Sequence, residues 1–333
     1  MVDRRPAMNG IAPAAHPVLA SPCVWQPGVS DAGTPIHLPR PLRAPLEAAM
    51  RDALAPPGLH FDFGSPAGEP ALVPADSISW RIFKNPVAVT VGGIAAVLLE
   101  LAEPRVRTGV WEFTSFRTDP MARMRRTGLA AMATVYGARS RTERLIAGVA
   151  RAHAAVRGHT PDGRAFSANE PELLDWVYAT AGFGFVRAYH AYVRALTIDE
   201  MDAAHAEGMP AARLYGAETA PGSVREMDAL FDAMRPRLEP HPILFEYLAV
   251  LRRAPLLPGL LAPLQTMLLR AAVEIVPGWM RRIIGLDARY RLRPGEALLL
   301  RQAGRLADRI VVDSHPAVLA SLRLGLPREH AYR

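Results

Sequence analysis

Two short stretches of this chain carry residue types that could do chemistry. The first reads Asp119-Pro-Met-Ala-Arg123-Met-Arg-Arg126-Thr127-Gly-Leu-Ala130-Ala131-Met-Ala-Thr134. On a helix, Arg123, Arg126 and Thr127 stand at i, i+3 and i+4 and share one face, which continues through Ala130, Ala131 and Thr134. Two fixed cations, a hydroxyl and then small side chains make a surface against which a flat anionic cofactor could lie. An exposed basic stripe is the alternative, but cations in a first turn oppose the helix dipole. The second stretch runs from Glu143 to Gly158, with Leu145, Val149, His153 and Val156 on one apolar face. His153 is either a hydrogen-bonded core residue or a ligand. Its small neighbours Ala152, Ala154 and Ala155 would let a planar macrocycle approach, and neutral imidazole is a normal axial ligand of haem iron.

Other chemistries find little support. The sequence holds no HExxH, no close His/Asp/Glu cluster with metal-ligand spacing and no GxSxG, and Gly92-Gly93 alone is not a dinucleotide loop. Cys23 is the only cysteine, which excludes an internal disulfide framework, a four-cysteine zinc site and a CxxCH haem attachment. A haem here would be held non-covalently. The formal charge of +7 arises from 39 basic and 32 acidic groups, and Lys84 is the only lysine. The arginines are spread along the chain without an aromatic-interleaved patch, so no nucleic-acid partner is expected.

The elements that must position these residues are helices. Asp119-Pro120 is an N-cap followed by proline at the first helical position. Ser140 to Glu143, Thr197 to Glu200 and Ser223 to Glu226 have the spacing of capping boxes, and Asn169 with Glu172 is a similar start. Gly158 is placed to end the His153 helix in a left-handed conformation. Arg309 to Asp313 is the best short strand candidate. Residues 1–75 hold nearly half of the 31 prolines and read as an irregular arm, helical only over Leu46 to Leu54; residues 76–333 read as one helical domain. The expected fold is therefore all-α. Arg4-Arg5 is followed by no apolar run, and the uncharged runs after Lys84 and after Arg253 fall short of the ~18 residues of a spanning helix. A cytoplasmic protein is expected. Leu256-Leu257 and Leu260-Leu261 could touch a membrane surface peripherally.

The order of segments resembles the haem-b oxygenase superfamily of latex-clearing proteins (rubber oxygenases) and MpaB-type oxygenases. The glycine pair and apolar helix from Val91 to Pro104 begin the likeness. Gly109-Val-Trp-Glu112 and Phe116-Arg-Thr-Asp119-Pro120 follow. Arg123-x-x-Arg126-Thr127 is similar to the family's Arg-x-x-basic-Thr motif, His153-Ala-Ala-Val-Arg-Gly158 to its His-Ala-x-Val-Arg-Gly segment, and Pro171 to Thr180 to its Pro-Glu-Leu-Leu-x-Trp-Val-x-Ala-Thr helix. The likeness spans about residues 78 to 290. It implies an all-α fold binding haem b, with His153 as the proximal iron ligand and Arg123, Arg126, Thr127 and Thr180 around the cofactor. The sequence departs from the family where Arg126 replaces the lysine of latex-clearing proteins. It departs again at Glu103 and Tyr178, where many relatives carry histidine, and at Phe113-Thr114, where a His-Ser pair is usual. An arginine stays protonated and is a poor iron ligand, so the far side of the haem is expected to be open or water-filled.

The function implied by the resemblance is a haem-dependent oxygenase using O2 on a hydrophobic, isoprenoid-like unsaturated small molecule. In that reading Arg123 or Arg126 pairs with propionates or polarises bound oxygen, and Glu112, or else Glu103, acts as a base. The stretch Leu256 to Leu269 would line a channel. A non-catalytic haem carrier or sensor is the alternative from a binding class. A cofactor-free helical interaction protein, with His153 in its core, is a third.

Overall fold

The computed structural model describes residues 33–255, 257 and 262–333. Its first helices are α1 (Arg40–Ala53), α2 (Ile78–Phe83), α3 (Pro86–Glu100), α4 (Pro104–Phe113), α5 (Pro120–Tyr136) and α6 (Arg139–Ala154). A hairpin of β1 (Arg157–His159) and β2 (Ala165–Ser167) precedes α7 (Pro171–Tyr192), α8 (Ile198–Tyr215) and α9 (Val224–Met234). The chain continues through α10 (Pro242–Arg253), α11 (Ala262–Ile275), α12 (Gly278–Ile284), α13 (Glu296–Ala307) and α14 (Pro316–Arg323). The fold is all-α apart from the hairpin.

Proline at the first helical position, after a side chain that caps, starts many of these helices. Asn85 Oδ1 accepts from the Val87 and Ala88 amides at 3.0 and 3.1 Å, and Asp119 Oδ1 accepts from Ala122 at 3.0 Å. Thr197 and Glu200 form the expected capping box of α8. Two other starts differ from expectation. The Ser140 amide and hydroxyl both donate to Glu69, so α6 begins at Arg139 with no side-chain cap. Ser223 caps α9, but the Glu226 carboxylate accepts from the Gly222 amide at 2.8 Å instead of closing the box. α7 is entered through Glu170 and Pro171, while Asn169 reaches back to the Ala150 carbonyl.

Gly158 does not end α6. The helix stops at Ala154, and Gly158 pairs with Phe166 inside the hairpin. Thr160 ties the turn, because its amide donates to Arg164 O at 2.9 Å and its carbonyl accepts from Gly163, which takes the positive φ. The Pro161-Asp162-Gly163 turn therefore sets this local structure. Arg309 to Asp313 forms a single parallel bridge, Ile310 opposite Ile36, and no strand.

α3 and α7 form the middle of the molecule. α3 is apolar on every side, as a helix enclosed by others should be. It crosses α7 where Gly92 meets Gly184. A Cβ on Gly92 would stand 2.7 Å from Phe185 Cα and 2.8 Å from Gly184 C, so only glycine permits this approach. Trp176, Ala179, Leu98 and Leu99 are among the side chains buried around the crossing. A second cluster joins Trp80, Leu129, Tyr136 and Val318, and Phe63 and Val73 from before α2 belong to it. Arg323 fastens that region by donating to the carbonyls of Phe63 (2.6 Å), Tyr136 (2.8 Å) and Glu69 (2.9 Å).

Lys84, 2% exposed, joins two ends of the fold. Its Nζ lies 2.8 Å from Asp308 Oδ1 and 4.8 Å from the centre of the Tyr332 ring. Asn85 Nδ2 donates to the same carboxylate at 3.1 Å and Tyr189 donates at 3.3 Å. Burial lowers the Lys84 pKa, and Asp308 opposes that shift.

No single helix among the described residues is long and apolar enough to cross a membrane. Leu257 packs against the core, whereas Leu256, Leu260 and Leu261 lie outside the described residues.

Candidate active site

Four helices place a carboxyl, a phenol and an imidazole within electrostatic reach of one guanidinium, that of Arg123. Glu100 is the last residue of α3, Arg123 lies in the first turns of α5, Tyr247 is on α10 and His153 is near the end of α6. Arg123 Nη1 donates to Thr127 Oγ1 at 2.7 Å, and that hydroxyl donates to the Arg123 carbonyl at 3.1 Å. The i, i+4 spacing of the two residues thus aims the guanidinium along its own helix. Burial lowers the Arg123 pKa, Glu100 raises it and Arg126 lowers it further. The ordinary value of arginine is so high that the group keeps its charge.

Glu100 responds in the opposite sense. Burial pushes its carboxyl up to about 7, with Arg123 pulling it down. A carboxyl with that pKa holds its proton about half the time at neutral pH. Tyr247 is raised well above the phenol range, chiefly by burial and then by Glu100, and stays protonated.

His153 is half-buried, and its ring hydrogen-bonds to no described residue. Its pKa is lowered, first by burial and then by the charge of Arg123. The C-terminal end of a helix would by itself favour imidazolium. Here desolvation and the charge of Arg123 outweigh it and favour the neutral ring. Only Thr142 and Ile146 of α6 are fully buried. Leu145, Gly148 and Val149, on the side of His153, remain half-exposed, and the alanines around it are exposed. Thr142 and Ile146 stand three and two turns before His153 on the same face, so the imidazole continues the buried stripe of α6 into its less covered last turns.

The family model described as "ER-bound oxygenase mpaB/B'/Rubber oxygenase, catalytic domain" matches residues 80–309. The chain belongs to this oxygenase family. No curated protein and no solved structure matches significantly. The matched span encloses Glu100, Arg123, His153 and Tyr247.

The remaining residues singled out by sequence fall in several environments. Arg126 is exposed and pairs with no described residue. Thr127 is exposed and engaged with Arg123. Thr180 is buried in α7, and its hydroxyl donates to the Val177 carbonyl at 2.9 Å. Glu112 is exposed at the end of α4 and makes no hydrogen bond or ion pair with a described residue. Glu103 is fully buried as the N-cap of α4; it accepts from Val106 N and Arg105 Nε, both at 2.8 Å. Tyr178 donates to Gly208 O at 2.6 Å, and Thr134, further along the Arg123 face, meets the Tyr215 hydroxyl at 3.2 Å.

Sequence reasoning did not single out Glu100 or Tyr247. One signal was available for Glu100, the acidic residue that interrupts a long uncharged run. Nothing in the sequence sets Tyr247 apart from other core aromatics. Among the described residues, no three His, Cys, Asp or Glu side chains converge as they would around a metal held by side chains alone.

Proposed function

We propose that this member of the oxygenase family is a haem b-dependent oxygenase acting with O2 on a hydrophobic, isoprenoid-like unsaturated small molecule. The observation that carries the reading is the half-buried imidazole of His153, which hydrogen-bonds to no described residue and whose pKa is lowered by burial and by the charge of Arg123. Neutral imidazole is the form that binds iron, and a porphyrin attached through one side chain needs no cluster of protein ligands. The residues present therefore fit haem b.

In this reading His153 holds the iron. Arg126, exposed and paired with no described residue, is free to meet a propionate carboxylate, and Arg123 is held in place by Thr127 and attracted by the Glu100 charge. When bound, haem supplies the activation of dioxygen. Glu100 holds or releases a proton at its carboxyl oxygen near neutral pH, a role for which Glu112 and Glu103 were the sequence candidates. The Tyr247 hydroxyl remains a donor throughout that range. Thr180, whose hydroxyl is already bonded to its own helix, supports the packing of α7 beside the cofactor region.

The test is the absorption spectrum of the purified protein, reconstituted with haem b, oxidised and reduced. A Soret band is expected, and His153→Ala should lose it or shift it strongly. Glu100→Gln should keep the band and slow O2-dependent consumption of squalene at least tenfold. A wild-type spectrum from His153→Ala would overturn the ligand assignment. Undiminished turnover by Glu100→Gln would overturn the proton role.

A further inference from the structure

A groove of about 460 Å³ lies between α10 and α11, away from the candidate site. That volume falls within the range of small-molecule pockets. Along α10 the lining residues are Phe245, Leu248, Ala249 and Arg252, and along α11 they are Thr266, Leu269, Arg270 and Val273. Each set follows the i, i+3, i+4, i+7 spacing of one helix face. Tyr247 lies on the opposite side of α10, so the helix itself separates the groove from Glu100 and Arg123.

The groove has two distinct ends. Gln265 Nε2 donates to the carbonyls of Leu251 and Ala254, both at 2.7 Å, and so ties the start of α11 to the end of α10. Arg252 and Thr266 stand at this end. Phe245 packs on Tyr290 with ring centres 5.5 Å apart at the other, where Val273 closes the wall. The distance between the ends is seven helical residues, about 10 Å. The floor between them is hydrocarbon.

Charge in the lining has one sign. Among the described residues, three guanidiniums and no carboxylate line the groove. Two of the three are paired elsewhere: Arg270 with Glu296 at 2.8 Å, and Arg289 with Asp287 at 3.1 Å. Arg252 pairs with no described residue, and the Thr266 hydroxyl likewise has no described partner. An apolar trough with one uncommitted guanidinium and a hydroxyl at its end matches a single-chain amphiphile with a monoanionic head. We propose that this groove binds a free medium-chain carboxylate, its head on Arg252 and Thr266 and its chain over Leu248 and Leu269 toward Phe245.

The proposal is tested by isothermal titration of the purified full chain with decanoate. Decanol and phosphatidylglycerol vesicles are titrated in parallel. Saturable one-to-one binding of decanoate is expected, with decanol at least tenfold weaker. Arg252→Ala, a change at an exposed side chain, should weaken decanoate binding about tenfold, as loss of a charge-assisted bond does. Ala249→Phe, which fills the groove, should abolish binding, and Arg187→Ala should leave it unchanged. Absence of saturable heat, equal affinity for decanol, or binding unaffected by Arg252→Ala would overturn the proposal. Binding confined to vesicles would overturn it in favour of a surface contact with lipid. None of these readouts depends on turnover or on the His153 assignment.

Discussion

His315 is expected to make the fold acid-sensitive in a pH range where most carboxylates are still ionised. It is 3% exposed and caps α14, its Nδ1 accepting the Ala317 amide proton at 3.0 Å. An acceptor nitrogen must be unprotonated, and the Tyr136 ring packs edge-on against it at 5.9 Å. Burial, and then the Lys84 charge, push its pKa down to about 3 from 6.5. Because the folded value is the lower one, this stability is fully present above pH 6.5. It is lost as pH falls from 6.5 toward 3, where only the unfolded chain takes up the proton. At pH 5 the unfolded histidine is protonated about thirtyfold over neutral while the folded one is almost wholly neutral. That ratio corresponds to about 2 kcal/mol. His315→Asn keeps a side-chain oxygen at the cap position and removes the titration. The assay is urea unfolding of wild type and variant at pH 7.5 and pH 5. The variant's absolute stability is expected to fall because the site is smaller. Its loss between the two pH values should nevertheless be about 2 kcal/mol less than that of wild type. Equal losses, within about 0.5 kcal/mol, would refute the linkage.

Other perturbations address packing, the buried ion pair and the cofactor region. Gly184→Ala should destabilise the protein by about 3 kcal/mol in urea unfolding, because its Cβ would enter the α3 backbone at the Gly92 crossing. Lys84→Met should lose about 3 kcal/mol by leaving the Asp308 carboxylate short of its cation, and a Tm unchanged from wild type would contradict that role. Arg123→Ala should release haem to apomyoglobin faster than the exposed Arg187→Ala does. Equal release rates would argue against a pocket role for Arg123.

Local signals in the sequence translated directly wherever their partners were also local. The Asp119-Pro120 start of α5 and the Thr197–Glu200 box of α8 each need only residues within one helical turn. Ser140 failed as a cap because its partner is Glu69, 71 residues earlier, a contact that no spacing rule contains. Gly158 was drawn into a hairpin by the turn at Gly163, which imposes a pairing beyond the helix it was expected to end. The helical class, the family and the face shared by Arg123 and Thr127 were all legible. The position of Glu100 was not. Its raised pKa comes from burial in the assembled fold, and each helix taken alone presents an ordinary glutamate, arginine or tyrosine. The apolar runs that hid this effect are the same ones that bury α3.

The burial of Lys84 also has a chemical consequence. As the only lysine of the chain, it carries the sole side-chain amine, and the folded protein withholds that amine behind Asp308 and Tyr332. Succinimidyl esters should therefore leave the lysine side chain of the native protein unacylated. Acylation at position 84, read by mass spectrometry after digestion, would then time the opening of the molecule, with a single built-in reporter and no engineered label.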